Sequence, residues 1–457
     1  MQIRKDLCDG INSIFTDMKN LEPKILTRLI EALSLSIELS VKFKIDKEKK
    51  NEINNLLLNE INEINDNNKE GNQFNYKILF YSSKILTITI LNIDKIYILF
   101  EPFVDLISQF MDNKLMVDFS LEILYFLITQ VLINYEKMES NIKKNINEEN
   151  KIWIEEKWQK SLFSRFLILL SQPELYTIIK NKFFNYLKKI IQQSVNYLDS
   201  FGWESIIQSY SILSNYDIEN TFLSIKELLN DYKSYLSLFN IIPIINILKF
   251  FIFNKKDIQI SLNSIDLFTH CANLISEYRK GKRKIKDKEK IVYANLFKEK
   301  NLKEYCDEIF IKLFSYLNKI NDDERIDIKK TGINTFTKIF ESKINIMSPE
   351  VCLKLINDIF FKIFVLNIKK YKSDIKTDDA ETIIQTSLKS IVIILRTFFK
   401  DKEEEEKENN IFEEYLKEII DLVPFGSPSL NTEILQSIID IKFKKKEKNS
   451  IDNYKNG

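Results

Sequence analysis

In 457 residues the chain uses only seven glycines and seven prolines, while 44% of its residues are hydrophobic. That composition has too few turn formers for a many-stranded β protein and enough apolar mass for a large helical core. The 67 basic and 66 acidic side chains leave a net charge of +1, so the whole-molecule field gives no reason to expect nucleic acid as a partner.

Four cysteines (Cys8, Cys271, Cys306 and Cys352) lie far apart without paired short spacings. This argues against a zinc knuckle or a disulfide framework and suits buried thiols in a reducing cytosol. Residues 1–9 already carry Arg4, Lys5, Asp6 and Asp9, so no secretory leader is expected there. No uncharged apolar run reaches about eighteen residues, and a soluble or peripheral protein is therefore expected.

In chain order, helices announce themselves as apolar residues recurring every three or four positions. Behind Pro23, which fits a first helical turn, Leu26, Leu29, Leu33 and Ile37 form one stripe. A pattern containing a small residue follows at Met116/Ser120/Leu124, near Phe183 and at Thr221/Ile225, and is fullest in residues 257–267 and 325–336. There Ile260/Ser264/Phe268 and Ile328/Gly332/Phe336 each place an apolar, a small and a bulky residue four positions apart. Such spacing lets one helix nest on the next in a stacked repeat, and the closest recurrences approach the length of a two-helix repeat, about forty residues.

Cys352, Leu355, Ile356, Ile359, Phe360 and Ile363 form a further stripe, with Ser348 placed as its cap and Pro349 just inside. A last one, Ile411/Phe412, Tyr415/Leu416 and Ile419/Ile420, follows the acidic run Glu403 to Glu406, whose charge suits a helix N-terminus, and stops at residues 424–428. No two-residue alternation persists, so no strand is predicted. Polar interruptions near 44–75, 138–158, 277–300, 369–380 and 400–410 read as enlarged loops. The pattern predicts an all-α, armadillo/HEAT-like α-solenoid over residues 1–441 without an internal boundary, and a basic disordered tail at 442–457.

No catalytic constellation emerges, because no Gly-rich elbow or phosphate-cradling loop accompanies the many Ser, Thr and Asp residues. His270 is the only histidine and has no spaced partners, so neither a metal nor a cofactor is predicted. The richest basic segment is 279–290, where Arg279, Lys280, Lys282, Arg283 and Lys284 are candidates for contact with anionic lipid headgroups. A solvated insertion loop is the alternative, since Asp287 and Glu289 dilute the charge. Lys442 to Lys448 is similar and includes Phe443 as a shallow anchor. Trp203, with Ile206 and Ile207 one turn on, reads as core, whereas Trp153 and Trp158 fit either packing or a partner contact.

A resemblance rests on Gly202-Trp203 with Ile206 and Ile207, then residues 221–232, 257–268 and 325–336. In this order they resemble successive helices beyond the catalytic domain of large Arf guanine-nucleotide exchange factors, and most closely those of the Mon-two (monensin-sensitivity protein two) family. Residues 108–130 and 176–200 upstream, and 380–382, 387–399 and 433–441 downstream, are similar to that family's flanking helices, so the likeness runs from about residue 20 to residue 440. The chain departs from the pattern at Thr269-His270 and Asp379, where the family usually has tryptophan. No segment resembles the exchange domain with its glutamate finger, which Mon-two also lacks. The resemblance implies a cytoplasmic, non-enzymatic scaffold, peripheral on trans-Golgi or endosomal membranes, that engages trafficking proteins and Arf-type small GTPases. A different HEAT-like scaffold, such as a nuclear transport receptor, is the alternative at the level of fold.

Overall fold

The structure is a computed structural model that describes residues 96, 100, 121–135, 158–171, 173–285, 301–373, 378–398, 413, 415–425 and 427–439. These residues are helical or in short connections, and no strand occurs among them. The chain divides into two compact units, Met1–Ile212 and Leu213–Gly457, where the apolar pattern gave no boundary. Periodicity records which face of each helix is buried, not which helix buries it.

In the first unit, α1 spans 121–135, α2 Trp158–Leu170, α3 Pro173–Ser194 and α4 Ser200–Leu213. Aromatic pairs join them: Tyr125 of α1 stacks on Tyr186 of α3 at 5.1 Å, and Phe166 of α2 meets Phe183 of α3 at 4.8 Å. Trp203 is fully buried, as its apolar neighbours predict. Trp158 is also buried, stacked 4.0 Å from Tyr135, which removes it as a partner contact; Trp153 lies outside the described residues. The start of α4 is held by the Asp199 carboxylate, which accepts from the backbone N–H groups of Phe201 and Gly202. Gln159 of α2 bonds the backbone of Tyr197 and Asp199 beside this turn. A Cβ at Gly202 would stand 2.0 Å from the Gln159 side-chain oxygen and 2.9 Å from Leu198 Cδ2, so a larger residue would displace this amide from the turn it bonds.

The second unit contains α5 (Ile218–Asn230), α6 (Ile241–Phe253), α7 (Ile258–Arg279), α8 (Leu302–Lys319) and α9 (Ile326–Lys343). The segments Pro349–Lys354, the π turn Leu355–Phe360 and Phe361–Ser373 run on as one rod, α10, followed by α11 (Asp378–Phe398) and α12 (428–439). Helices α6/α7, α8/α9 and α10/α11 pack as consecutive pairs. In the second layer α7 packs on α9 and α9 on α11; in the first, α6 meets α8 and α8 meets α10. Each pair thus packs mainly on the one before and the one after, which is the arrangement of an α-solenoid.

Local chemistry sets the helix ends. Asp257 accepts from Gln259 and Ile260 at the start of α7, and Asn301 with Glu304 forms a reciprocal capping box on α8. Ser348 stands at the predicted cap position with Pro349 following, but its hydroxyl makes no capping bond. The stripe from Cys352 to Ile363 is buried, and the π turn within it spreads the rod's buried face. The polar stretch 369–380 is not a loop throughout: α10 continues to Ser373 and α11 begins at Asp378, because the lysines there flank an apolar stripe that ends with Ile368. Likewise α7 extends to Arg279, into the predicted 277–300 loop. The stripe at Leu26–Ile37, the interruptions at 44–75 and 400–410, nearly all of 138–158, and the 442–457 tail lie outside the described residues.

The small-residue pattern lands in the core, with Ile260, Ser264, Phe268, Ile328, Gly332 and Phe336 all buried. At Gly332 the snug neighbour is Ile320, at the end of the partner helix α8, rather than a helix of the next pair. A Cβ there would lie 2.8 Å from Ile320 Cγ2 and 3.2 Å from its Cβ. Because that wall is a branched carbon near the backbone, Gly332→Ala is expected to lose about 1–2 kcal/mol of stability despite alanine's better helix propensity. A urea melt of the variant checks this, and Gly332→Val should cost more.

Candidate contact for an anionic surface

The basic segment begins where α7 ends. Lys280 and Gly281 donate back to the carbonyls of Ser276 and Tyr278, and Gly281 adopts φ +68°, a left-handed turn that suits glycine. The Arg283 N–H then closes on the Glu277 carbonyl at 3.2 Å. The reversal lays 279–285 as a short strap over the helix end, with Ile285 tucked into the core.

Both arginines of the strap point inward. Arg279, whose side chain is 9% exposed, pairs with Asp307 (10% exposed) at 2.9 Å. It also donates to the carbonyls of Lys303 and Ile346, joining α7, the first turn of α8 and the connection after α9. Arg283 donates to the Ser234 carbonyl, lies over the Tyr278 ring at 5.2 Å and approaches Glu277 at 4.0 Å. Tyr278 in turn donates to the Leu236 carbonyl. The five-residue headgroup contact is therefore corrected: Arg279 serves as an anchor through carbonyl and carboxylate partners, and Arg283 through the Ser234 carbonyl and the face of Tyr278.

Lys280, Lys282 and Lys284 remain exposed to solvent. Their surroundings are electropositive beyond the strap itself. Lys343, in the last turn of α9, is held below the ordinary lysine range first by burial and then by the charge of Lys280, with Glu277 opposing, and it donates to the Asn273 side chain. The sequence hid Lys343 because it lies 63 residues from Lys280 in the chain. The result is a set of exposed lysines on a pinned backbone, able to meet anionic groups without first ordering a loop.

The other groups singled out in the sequence are dispersed among the described residues. His270 lies beside Cys271 on α7, and among the described residues no three His, Cys, Asp or Glu side chains gather where a metal could bind. Cys271, Cys306 and Cys352 are buried free thiols. Burial pushes Cys271 up to about 12. Cys306 also rises to about 12, chiefly through burial, with Arg279 opposing. The Cys271 and Cys306 thiols stay protonated and are poor nucleophiles. No helix among the described residues is long and apolar enough to cross a membrane.

No protein-family model matches the chain, and no curated protein matches it. A solved structure described as a circular tandem repeat protein with novel repeat topology and enhanced subunit contact surfaces aligns over 95% of this chain and 98% of its own. It does so at 12% identity and a TM-score of 0.22, a likeness too slight to bear on function.

Proposed function

We propose that the chain is a non-enzymatic scaffold of the cytoplasm that sits peripherally on trans-Golgi or endosomal membranes. There it engages trafficking proteins and works in pathways run by Arf-type small GTPases. The collinear resemblance to the Mon-two family supports this reading, as does the stack of helix pairs, a form that works by displaying weak contacts along a surface. The observation that carries it is the strap: three solvent-facing lysines on a backbone anchored by Arg279 and Arg283. Near an anionic leaflet each well-placed lysine contributes about 1 kcal/mol.

The test is sedimentation of the full chain with phosphatidylcholine vesicles containing phosphatidylserine. Converting Lys280, Lys282 and Lys284 together to glutamate is expected to weaken pelleting by about tenfold or more at low salt, and added salt should do the same to the parent protein. Unchanged pelleting would remove the membrane contact. The trafficking assignment is tested separately by fluorescence of the tagged chain in cells. Punctate or perinuclear signal supports it; a nuclear rim would favour a transport receptor.

A further inference from the structure

A second surface, independent of the strap, lies on the first layer of helices where α6 meets α8. Asn246, Lys249 and Phe250 share one face of α6, and Lys312, Tyr316 and Lys319 share one face of α8, by their three- and four-residue spacings. The two faces are joined directly: the Tyr316 hydroxyl donates to Asn246 Oδ1 at 2.9 Å. The ammonium groups of Lys249 and Lys319 stand 5.2 and 5.7 Å from the Tyr316 ring centre, one from each helix. Phe250, next to Lys249, leaves 39% of its surface exposed although its helix is otherwise deeply apolar.

The charge of this face is predominantly positive. Residues 241–256 and 309–321 contain no aspartate or glutamate, and acidic groups stand only at its margins, Glu308 one turn before Lys312 and Asp322 just after Lys319. Two carboxylates farther out already have cations: Glu324 pairs with Lys255 at 2.9 Å and Asp358 with Lys362 at 3.8 Å. Among the described residues no carboxylate pairs with Lys249, Lys312 or Lys319. An exposed phenylalanine beside cations already ordered on an aromatic ring favours a ligand with negative charge at fixed spacing and one apolar side chain.

We infer that the α6–α8 face docks an acidic peptide segment of a partner protein, with an aromatic or aliphatic residue of that segment resting on Phe250 and its carboxylates meeting Lys249, Lys312 and Lys319. A lipid surface offers headgroups at no set spacing and would draw nothing from this ordering, so the peptide is the better fit.

The probe is a short fluorescein-labelled peptide of glutamates interrupted by one phenylalanine, titrated with the full chain and followed by fluorescence anisotropy. Saturable binding that weakens with salt is expected, with Lys249→Glu/Lys319→Glu reducing affinity by about tenfold or more. The triple glutamate variant of Lys280, Lys282 and Lys284 should leave this affinity unchanged, which separates the surface from the strap. Lys319 is exposed and Lys249 half-buried, and an unchanged circular dichroism melt confirms that the double variant is folded. No binding by the parent protein, or equal binding by the double variant, overturns the inference. So does a double variant that loses only vesicle pelleting, because the face would then read lipid.

Discussion

Replacing Arg325 with alanine is expected to lower the unfolding free energy by about 3 kcal/mol, because it strands a buried carboxylate. Arg325 is the N-cap residue of α9 and is 20% exposed; Asp323, two residues earlier, is only 4% exposed. The guanidinium grips Asp323 with two bonds, Nε to Oδ1 at 2.9 Å and Nη2 to Oδ2 at 2.8 Å. Its remaining donors cross to the preceding pair: Nη2 reaches the Ile252 carbonyl at 2.6 Å, and Nη1 reaches the Asn254 carbonyl and Ser261 Oγ, each at 3.1 Å. One side chain thereby satisfies orphan carbonyls at the end of α6 and fastens the α8/α9 turn to the α6/α7 turn. Arg325→Lys should recover only part of the loss, since an ammonium cannot make the two-pronged grip.

The pH dependence follows from the same geometry. Burial pushes the Asp323 carboxyl up, but the hydrogen bonds and charge of Arg325 outweigh it and hold the group below its ordinary value of 3.8. A depressed carboxylate contributes stability that is complete above 3.8 and is lost as pH falls through the lower folded value. In Arg325→Ala burial acts without the arginine, so the variant's deficit should be largest near neutral pH and shrink on acidification. Urea denaturation near neutrality and in acid measures both the size and the narrowing; a deficit that stays constant with pH would show that the carboxylate is not its source.

Phe336→Ala is expected to cost about 3–5 kcal/mol, as truncating a large core aromatic does. Phe336 is buried between rings from the neighbouring helices, 4.6 Å from Phe314 of α8 and 5.1 Å from Phe360 of α10. Truncation leaves a void touching two helix pairs and removes two ring contacts, each worth about 0.5–1.5 kcal/mol beyond simple burial. Asn334→Ala, on the exposed side of the same helix, should change stability by no more than about 0.5 kcal/mol. Thermal unfolding of the two variants side by side separates the core effect from a general intolerance of α9 to change.

Phe336 was legible in the sequence because its burial follows from spacing within one helix. Arg325 was not: its partners Asn254 and Ile252 lie 71 and 73 residues away, and no local pattern encodes a bond across that distance. The basic strap falls between these cases. Composition located the charge, yet Arg279 and Arg283 proved to be anchors and Lys280, Lys282 and Lys284 the exposed groups, because side-chain direction depends on carbonyls supplied by other turns. Gly332 was correctly placed in the core, but its neighbour Ile320 comes from a one-turn 3₁₀ segment after α8 that helical periodicity does not mark. The two-unit division was hidden for the same reason, since each helix looks alike whichever neighbour covers it.

A buried thread of two amides and a hydroxyl, Asn321 to Asn367 at 3.1 Å and Asn367 to Ser387 at 3.4 Å, runs through the end of α8 and into α10 and α11. Hydrocarbon faces tolerate sliding by a turn, whereas the two bonds of this thread form at a single offset. The thread therefore acts as a vernier, selecting one alignment of three rods from several that would cover similar oily area.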